Sequence, residues 1–410
     1  MAERTLNVFL GTQLVGHLKQ DDDGAVQFEY ADSWLNLPQA RPLSASLPLQ
    51  SGKFRRNKTR PFFAGLLPEE EIRRVVAGAF GVSAANDFAL LEKIGAECAG
   101  AVSLRPAGDG PRDANPSYRE IDIRELSQKL QSLPQNPLLA GQAGIRLSLA
   151  GAQGKLALRI DAGRFLLPLE GSPSTHILKP ENPRFLDLVE NEFFCMTLAR
   201  RIGLEVARVE IQSIDGIRYL QIERFDRRLG KDSRIERIHQ EDFCQALGVV
   251  PELKYEQEGG PNLKQCFDLL RDVCSTPGPD ILRLFDAVVF NVLIGNCDAH
   301  AKNFTFLRDG GIVRLAPLYD LVATSAYPSL AREMAMKIGG ERNLVSLSAK
   351  NWHRFFDQAG IGQASARQRM ISLCSQVLDA LEKLDREDSP GANIVVPLVR
   401  QACARLQTLR

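Results

Sequence analysis

A chain of 410 residues, 44% hydrophobic and 25% charged, has the composition of a folded globular protein with material for two or three domains. Its 51 Lys and Arg balance 50 Asp and Glu to a net charge of +1, which excludes a gross polyanion-binding surface and leaves only local basic runs such as "KFRRNKTR" at 53–60, read first as a solvated loop. No run reaches the roughly 18 apolar residues of a membrane span, the start "MAERTLNVFLGT" has no signal-peptide profile, and the eight cysteines form neither C-x-x-C nor a zinc spacing, so reduced thiols in a cytoplasmic protein are expected.

In chain order, "TLNVFLGTQLVGHLKQDDDGAVQFEYA" alternates apolar and polar residues and breaks at "GT" and "DDDG", which predicts a small antiparallel sheet. Helices are expected over "PEEEIRRVVAGAFG", with acids in its first turn, and "SAANDFALLEKIG". "RPAGDGPRDANPSY", 105–118, has the Pro, Gly and Asp content of a linker. Strand-like pieces follow in "GIRLSLAG", "KLALRI", "RFLLPL" and "THILKP". The helix "DLVENEFFCMTLARRIG" then places Leu188, Phe193, Met196, Leu198 and Ile202 mainly at three- and four-residue steps, with Gly203 suited to its end. "VARVEIQSI" and "IRYLQIERFDR" form a strand pair around Asp215-Gly216. From about residue 241 the pattern turns helical: "QEDFCQAL", "NLKQCFDLLRDVC", "DILRLFDAVVFNVLIG" and "RQRMISLCSQVLDALEKL". The expected class is α+β, with a β-rich accessory domain over 1–110, a β-rich lobe over 111–240 and a helical lobe over 241–410.

Between two apolar segments, "NVLIGNCDAHAKNFTFL" gathers Asp298, His300, Lys302 and Asn303. Asp298 and Asn303 stand in the D-x-x-x-x-N spacing of a protein-kinase catalytic loop, where Asp takes the acceptor hydroxyl's proton and Asn holds magnesium. An ordinary helix cap or turn explains the two residues about as well when the motif is taken alone. The context favours chemistry. The segment "FTFLRDGGIVRLAPLYD" predicts a hairpin around Asp309-Gly310-Gly311 that returns Asp320 to the same place, and a transferring phosphoryl group needs hard oxygen donors for its magnesium. Upstream, "LSLAGAQGKLAL" sets a glycine-containing turn between expected strands, suited to cradling phosphates or to a plain hairpin. Lys179 ends a strand, from which it would reach water or nucleotide phosphates, with Glu190 or Glu192 of the next helix as its ion partner. "LQIERFDR" occupies the place of a hinge.

"SLAGAQGKLAL", "THILKP", "NEFFCMTLARRIGL", "IERFDR", "HQEDFCQALG", "LIGNCDAHAKNF" and "LYDL", together with "SLPL" and "FFAGLLPE" near the start, resemble the HipA-type serine/threonine kinase toxins of bacterial toxin–antitoxin systems over nearly the whole chain. The resemblance implies a two-lobed protein-kinase-like fold using ATP and Mg2+. Asp298 would be the catalytic base, and Asn303 and Asp320 the metal ligands. Around the nucleotide it sets Ala150, Gly151, Ala152, Gln153, Gly154 and Lys155 as the phosphate loop, Lys179 on the phosphates, Glu223 and Phe225 at the adenine, and His300, Lys302 and Tyr319 close by. Ser148 matches the autophosphorylated serine, whose modification in the family holds the loop out and switches the kinase off. Gly154 departs from the pattern, since relatives often carry a polar residue there, and a second glycine would loosen the loop. The implied partners are a helix-turn-helix, HipB-like antitoxin, operator DNA only through that antitoxin, and a cytoplasmic protein substrate such as an aminoacyl-tRNA synthetase, with no membrane. A small-molecule kinase of the aminoglycoside-phosphotransferase type and a co-repressor pseudokinase are the alternatives.

Overall fold

The structure is a computed structural model that describes residues 4–22, 24–111, 115–151, 153–230, 234–386 and 389–408, the side chains of 385 and 386 excepted. The chain divides into two compact units. One comprises 1–180, 212–252 and 307–311, and the other 181–211, 253–306 and 312–410.

The first unit holds two hydrophobic cores. Period-two alternation in β1 (Arg4–Leu10), β2 (Gln13–Gln20) and β3 (Val26–Tyr30) sets Leu6 opposite Leu18 and Leu18 opposite Phe28, and all three are fully buried. The short β4 (Lys53–Phe54) adds Phe54 opposite Phe28, and β5 (Val102–Pro106) closes the order β4-β3-β2-β1-β5. The helices α1 (Asp32–Leu35), α2 (Arg56–Gly65), α3 (Glu70–Ala79) and α4 (Asp87–Ile94) bring Trp34, Phe62, Phe63, Val76, Phe88 and Leu91 to the same core. Asn86 caps α4 by accepting the Ala89 N–H.

The second core lies on a six-stranded sheet of β6 (Ser117–Ile121), β7 (Leu156–Asp161), β8 (Arg164–Leu169), β9 (His176–Pro180), β10 (Val209–Ile214) and β11 (Ile217–Glu223), in the order β10-β11-β9-β7-β8-β6. Leu126 and Leu130 of α5 (Ile123–Ser132) pack with Leu156, Leu158, Leu167, Leu178 and Tyr219. Asp215 and Gly216 both have positive φ, as a two-residue hairpin turn of this hand requires. One expected strand is absent. Residues 144–151 form none, and only Leu147 bridges Glu97. The reason is that this backbone pairs with a loop: the Glu97 N–H donates to the Arg146 carbonyl at 3.0 Å, and the Ser148 N–H donates to the Glu97 carbonyl at 2.8 Å.

Glu97 also anchors a buried ionic network. Its Oε1 accepts from the Ser174 N–H and hydroxyl at 2.6 and 2.8 Å and from Arg224 and Arg227, each at 3.3 Å. Arg224 grips both oxygens of Asp226 at 2.9 and 2.8 Å, and Asp226 in turn accepts the Gly100 N–H at 2.7 Å. Although burial opposes ionisation, these arginines hold the Asp226 and Glu97 carboxyls below the usual carboxylate range. The "ERFDR" motif therefore spends three of its five residues on a structural lock.

The unit continues through β12 (Arg227–Leu229), β13 (Ile235–Arg237), β14 (His239–Asp242) and α7 (Phe243–Leu247), the last begun by an Asp242/Gln245 capping box.

The second unit is mainly helical: α6 (Leu188–Arg201), α8 (Leu263–Val273), α9 (Pro277–Ile294), α10 (Ala349–Ala359), α11 (Gln363–Arg386) and α12 (Ala392–Thr408). In the chain, β15 (Thr305–Asp309), whose residues 307–309 belong to the first unit, and β16 (Ile312–Leu315) follow α9, and β17 (Glu333–Ile338) pairs with β18 (Glu341–Asn343). α9 opens on Pro277, ends at Gly295 with φ 72°, and is buried without a break from Leu284 to Ile294. The sequence reading omits β17, α10 and α12. In β17 the neighbours Met334, Ala335 and Met336 are all buried, so no alternation marks the strand. α6 buries Phe194, Cys195 and Leu198 with Asn191, while Phe193 is half exposed. All eight cysteines are free and buried, as expected of core thiols. Among the described residues no helix is long and apolar enough to cross a membrane.

His239 gives this fold a pH signature. Its Nε2 is hydrogen-bonded to the Leu43 carbonyl at 2.8 Å, and burial pushes its pKa down to about 4. Below pH 6.5 the unfolded chain takes a proton that the folded chain refuses until about 4, so stability falls as pH falls through that window. Urea unfolding is expected to show the native protein losing about 3 kcal/mol more than His239→Gln between pH 6.5 and 4.

Candidate active site

The α9 C-terminus presents the loop that follows it. After Gly295 the chain leaves the helix, and Asn296, 5% exposed, makes three side-chain bonds. Its Oδ1 accepts the Asp298 N–H at 3.1 Å. Its Nδ2 donates to Asn291 Oδ1 at 2.8 Å and to the Asp320 carbonyl at 3.4 Å. One amide thus joins the end of α9, the backbone of Asp298 and the backbone of Asp320. Thr324 adds a second lace, its Oγ1 accepting the Cys297 N–H at 2.7 Å and donating to the Gly295 carbonyl at 3.3 Å. From α6, Asn191 accepts the Ala323 N–H at 2.8 Å and donates to the Ala323 carbonyl at 3.2 Å. Tyr319 closes the set by donating to the Lys302 carbonyl at 2.6 Å and sharing a 2.7 Å hydrogen bond with Thr305.

The second unit therefore brings Asp298, His300, Lys302, Asn303, Tyr319 and Asp320 together on two laced segments. Asp298 is exposed, and its Oδ1 accepts the Tyr255 hydroxyl at 2.8 Å. Asn303 closes the single 3-10 turn Ala301–Asn303, and its Oδ1 is buried and accepts no hydrogen bond among the described residues. Asp320 has a left-handed φ of 52°, a conformation that costs a side-chain-bearing residue energy and is retained here where the surrounding bonds fix it. An amide oxygen without a hydrogen-bond partner among the described residues and a carboxylate are hard-oxygen donors of the kind a magnesium ion takes, so Asn303 and Asp320 are the residues that would hold one here. Burial pushes the neighbouring Cys297 thiol up, which keeps it protonated and removes it as a nucleophile.

The remaining expected residues fall in the first unit. Lys155, 9% exposed, folds back over its own loop and donates to the Ala150 carbonyl at 2.6 Å. The Gly151 carbonyl accepts the Glu69 N–H at 3.4 Å, and Gly151 has φ +109°, which favours glycine. Gln153 and Gly154 are half-buried, and Ala152 lies outside the described residues. Gly154 does not have a positive φ, and a Cβ there would meet Leu133 only at 3.8 Å, so neither backbone nor space demands glycine at this position. Lys179, 6% exposed, sits on β9 opposite Leu220; Glu223 is exposed at the end of β11, and Phe225 is half-buried just past it. Ser148 is fully buried, its hydroxyl donating to the Leu66 carbonyl at 2.7 Å.

Sequence reasoning missed Asn191, Asn296, Thr324 and Tyr255. The "GNCD" and "KYEQEGG" stretches carried the signal as an asparagine and a Gly-Gly pair beside an acid-bearing loop.

Comparison with known proteins sets the chain in the serine/threonine-kinase class. The HipA N-terminal domain family matches residues 6–105 and the HipA-like C-terminal domain family residues 147–383, so the chain belongs to the HipA family. It is 47% identical over 393 residues to "Putative kinase Y4mE" of Sinorhizobium fredii, covering 95% of this chain and 94% of that protein. It is 31% identical to "Serine/threonine-protein kinase toxin HipA" of Shewanella oneidensis over 98% of this chain and 95% of the relative. The solved complex of Shewanella oneidensis HipA, HipB and operator DNA contains a chain that superposes with a TM-score of 0.85 at 30% identity, across 98% of this chain and 96% of that one. The expected α+β, two-lobed kinase-like fold class holds.

Asn296→Ala removes three bonds and leaves the Asp298 N–H and Asn291 Oδ1 without their partner. Urea unfolding is expected to show a loss of roughly 2–4 kcal/mol, and at least as large a loss for Asn296→Asp, which keeps the acceptor but sets a buried carboxylate oxygen against Asn291 Oδ1 and the Asp320 carbonyl.

Proposed function

We propose that the protein is a kinase toxin that moves the ATP γ-phosphoryl group to a serine or threonine of a cytoplasmic protein and is neutralised by a helix-turn-helix antitoxin. The observation that supports this reading is the Asn296 amide, which ties the backbone of Asp298 to the backbone of Asp320, while the Tyr319–Lys302 hydrogen bond ties the segment that carries Asn303 to the same strand of chain. A carboxylate and two oxygen donors on laced segments are the groups that phosphoryl transfer uses.

In this mechanism Asp298 accepts the proton of the acceptor hydroxyl as its oxygen bonds to the γ-phosphorus. The bond between that phosphorus and the bridging oxygen breaks, and ADP carries the electron pair away. Magnesium, when bound, neutralises charge on the phosphate oxygens, and Asn303 and Asp320 are the residues that hold it. Lys155 and Lys179 supply cations to the phosphates and the 150–155 loop its N–H groups, while Glu223 and Phe225 face the adenine. His300, Lys302 and Tyr319 support the nucleotide. A protein target such as an aminoacyl-tRNA synthetase and a HipB-like antitoxin that carries the complex to operator DNA complete the proposal. The antitoxin reading is supported by the HipA–HipB–operator complex of the Shewanella relative.

Ser148 is the proposed self-inactivation site. Its buried hydroxyl means that modification requires residues 146–151 to detach from Leu66 and Glu97, and a phosphate of about −1.5 to −2 charge then prevents their return to an apolar seat.

Asp298→Asn is expected to lower phosphoryl transfer by about 10²–10⁴-fold while ATP binding, followed by calorimetry, is retained. Turnover at the native rate in that variant removes Asp298 from its role, whereas no transfer by the native chain favours the co-repressor reading. Incubation of the native chain with ATP and magnesium is expected to add one phosphate, located at Ser148 by peptide mass spectrometry and missing from Ser148→Ala. An unmodified Ser148 would count against the self-inactivating switch.

A further inference from the structure

We propose that Tyr255 is a positioning residue for Asp298, a role that rests on the reading of Asp298 as the proton acceptor. The Tyr255 hydroxyl donates to Asp298 Oδ1 at 2.8 Å, and Oδ2 has no hydrogen-bond partner among the described residues. A carboxylate on a loop rotates about two side-chain bonds. A single directed donor on one oxygen selects one orientation and turns the other oxygen outward for the acceptor hydroxyl.

The tyrosine is itself held. Its ring stands edge-on to His300, with centroids 5.4 Å apart and an interplanar angle of 75°, and the Lys254 ammonium lies 5.3 Å from its centroid. Its carbonyl accepts the Glu258 and Gly260 N–H groups, each at 3.0 Å. Gly260 is required by this tight loop, because a Cβ there would meet the Leu253 carbonyl oxygen at 2.2 Å.

One strand sets the spacing between the tyrosine and its partner. The β17 residue Ala335 donates its N–H to the Cys297 carbonyl at 2.8 Å, beside Asp298. Two residues on, the Lys337 N–H donates to Glu256 at 2.6 Å, beside Tyr255. The base and its orienting donor therefore hang from one strand. A tyrosine that blocked the acceptor position would engage the outward oxygen, and here that oxygen is open.

The test compares Tyr255→Phe, Asp298→Asn and the native chain with ATP, magnesium and a serine-containing protein acceptor, alongside thermal melting. The expected result for Tyr255→Phe is a fall in kcat of about tenfold with KM for ATP and the melting temperature unchanged, because the ring contacts stay and only the orienting donor goes. A native kcat in Tyr255→Phe overturns the proposal, and so does a raised one, which would make Tyr255 an obstruction. A parallel loss of kcat and melting temperature overturns it as well, since that marks a structural role. If Asp298→Asn retains full turnover the base assignment itself has failed, an outcome distinguishable from a failure of Tyr255 alone.

Discussion

The candidate site depends on the side-chain amide of Asn296. An amide carries both an acceptor and two donors, and here they are spent on three backbone or side-chain groups from three places: the end of α9, the Asp298 N–H and the Asp320 carbonyl. No other side chain of this size offers that combination of donors and acceptor in one plane. Asp298 and Asp320 are 22 positions apart, and without a bridge each would sit on a loop with its own freedom. Burial of the amide strengthens its bonds and penalises any state in which they are broken.

The same device recurs through the second unit. Asn191 presents a buried amide from α6 to both backbone groups of Ala323, and Thr324 divides its hydroxyl between Cys297 and Gly295. These neutral polar locks position the charged groups of the candidate site without adding charge to it. The first unit uses the opposite device, a buried cluster of Glu97, Arg224, Asp226 and Arg227, where paired ionic groups are walled from solvent. Glu97 links that cluster to the segment carrying Ser148, so the seat of the proposed regulatory serine is tied to a rigid structural element.

β17 is a frame for the second unit's loops. It contributes one N–H to the loop carrying Asp298 and another to the loop carrying Tyr255. Strand geometry fixes the distance between alternate residues at nearly 7 Å, so two loops that hang from it keep a constant separation.

The sequence alone determined the elements whose residues carry their own local signal. Alternation marked β1 to β3, the Asp215-Gly216 pair marked the β10–β11 hairpin, and the apolar run closed by Gly295 marked α9. It also put forward Asp298 and Asn303 as candidates, because a fixed spacing survives in one dimension, and Asp320 through the hairpin expected between them. Tertiary structure decided the rest. Residues 144–151 are apolar and extended yet form no strand, since their hydrogen bonds go to the loop around Glu97. β17 lost its alternation to burial on both faces. Asn191 has no pattern to betray it, and the loop signals around Asn296 and Tyr255 do not name their partners, because a single polar side chain acquires its role only when folding brings its partners within about 3 Å and excludes the water that would otherwise take their place.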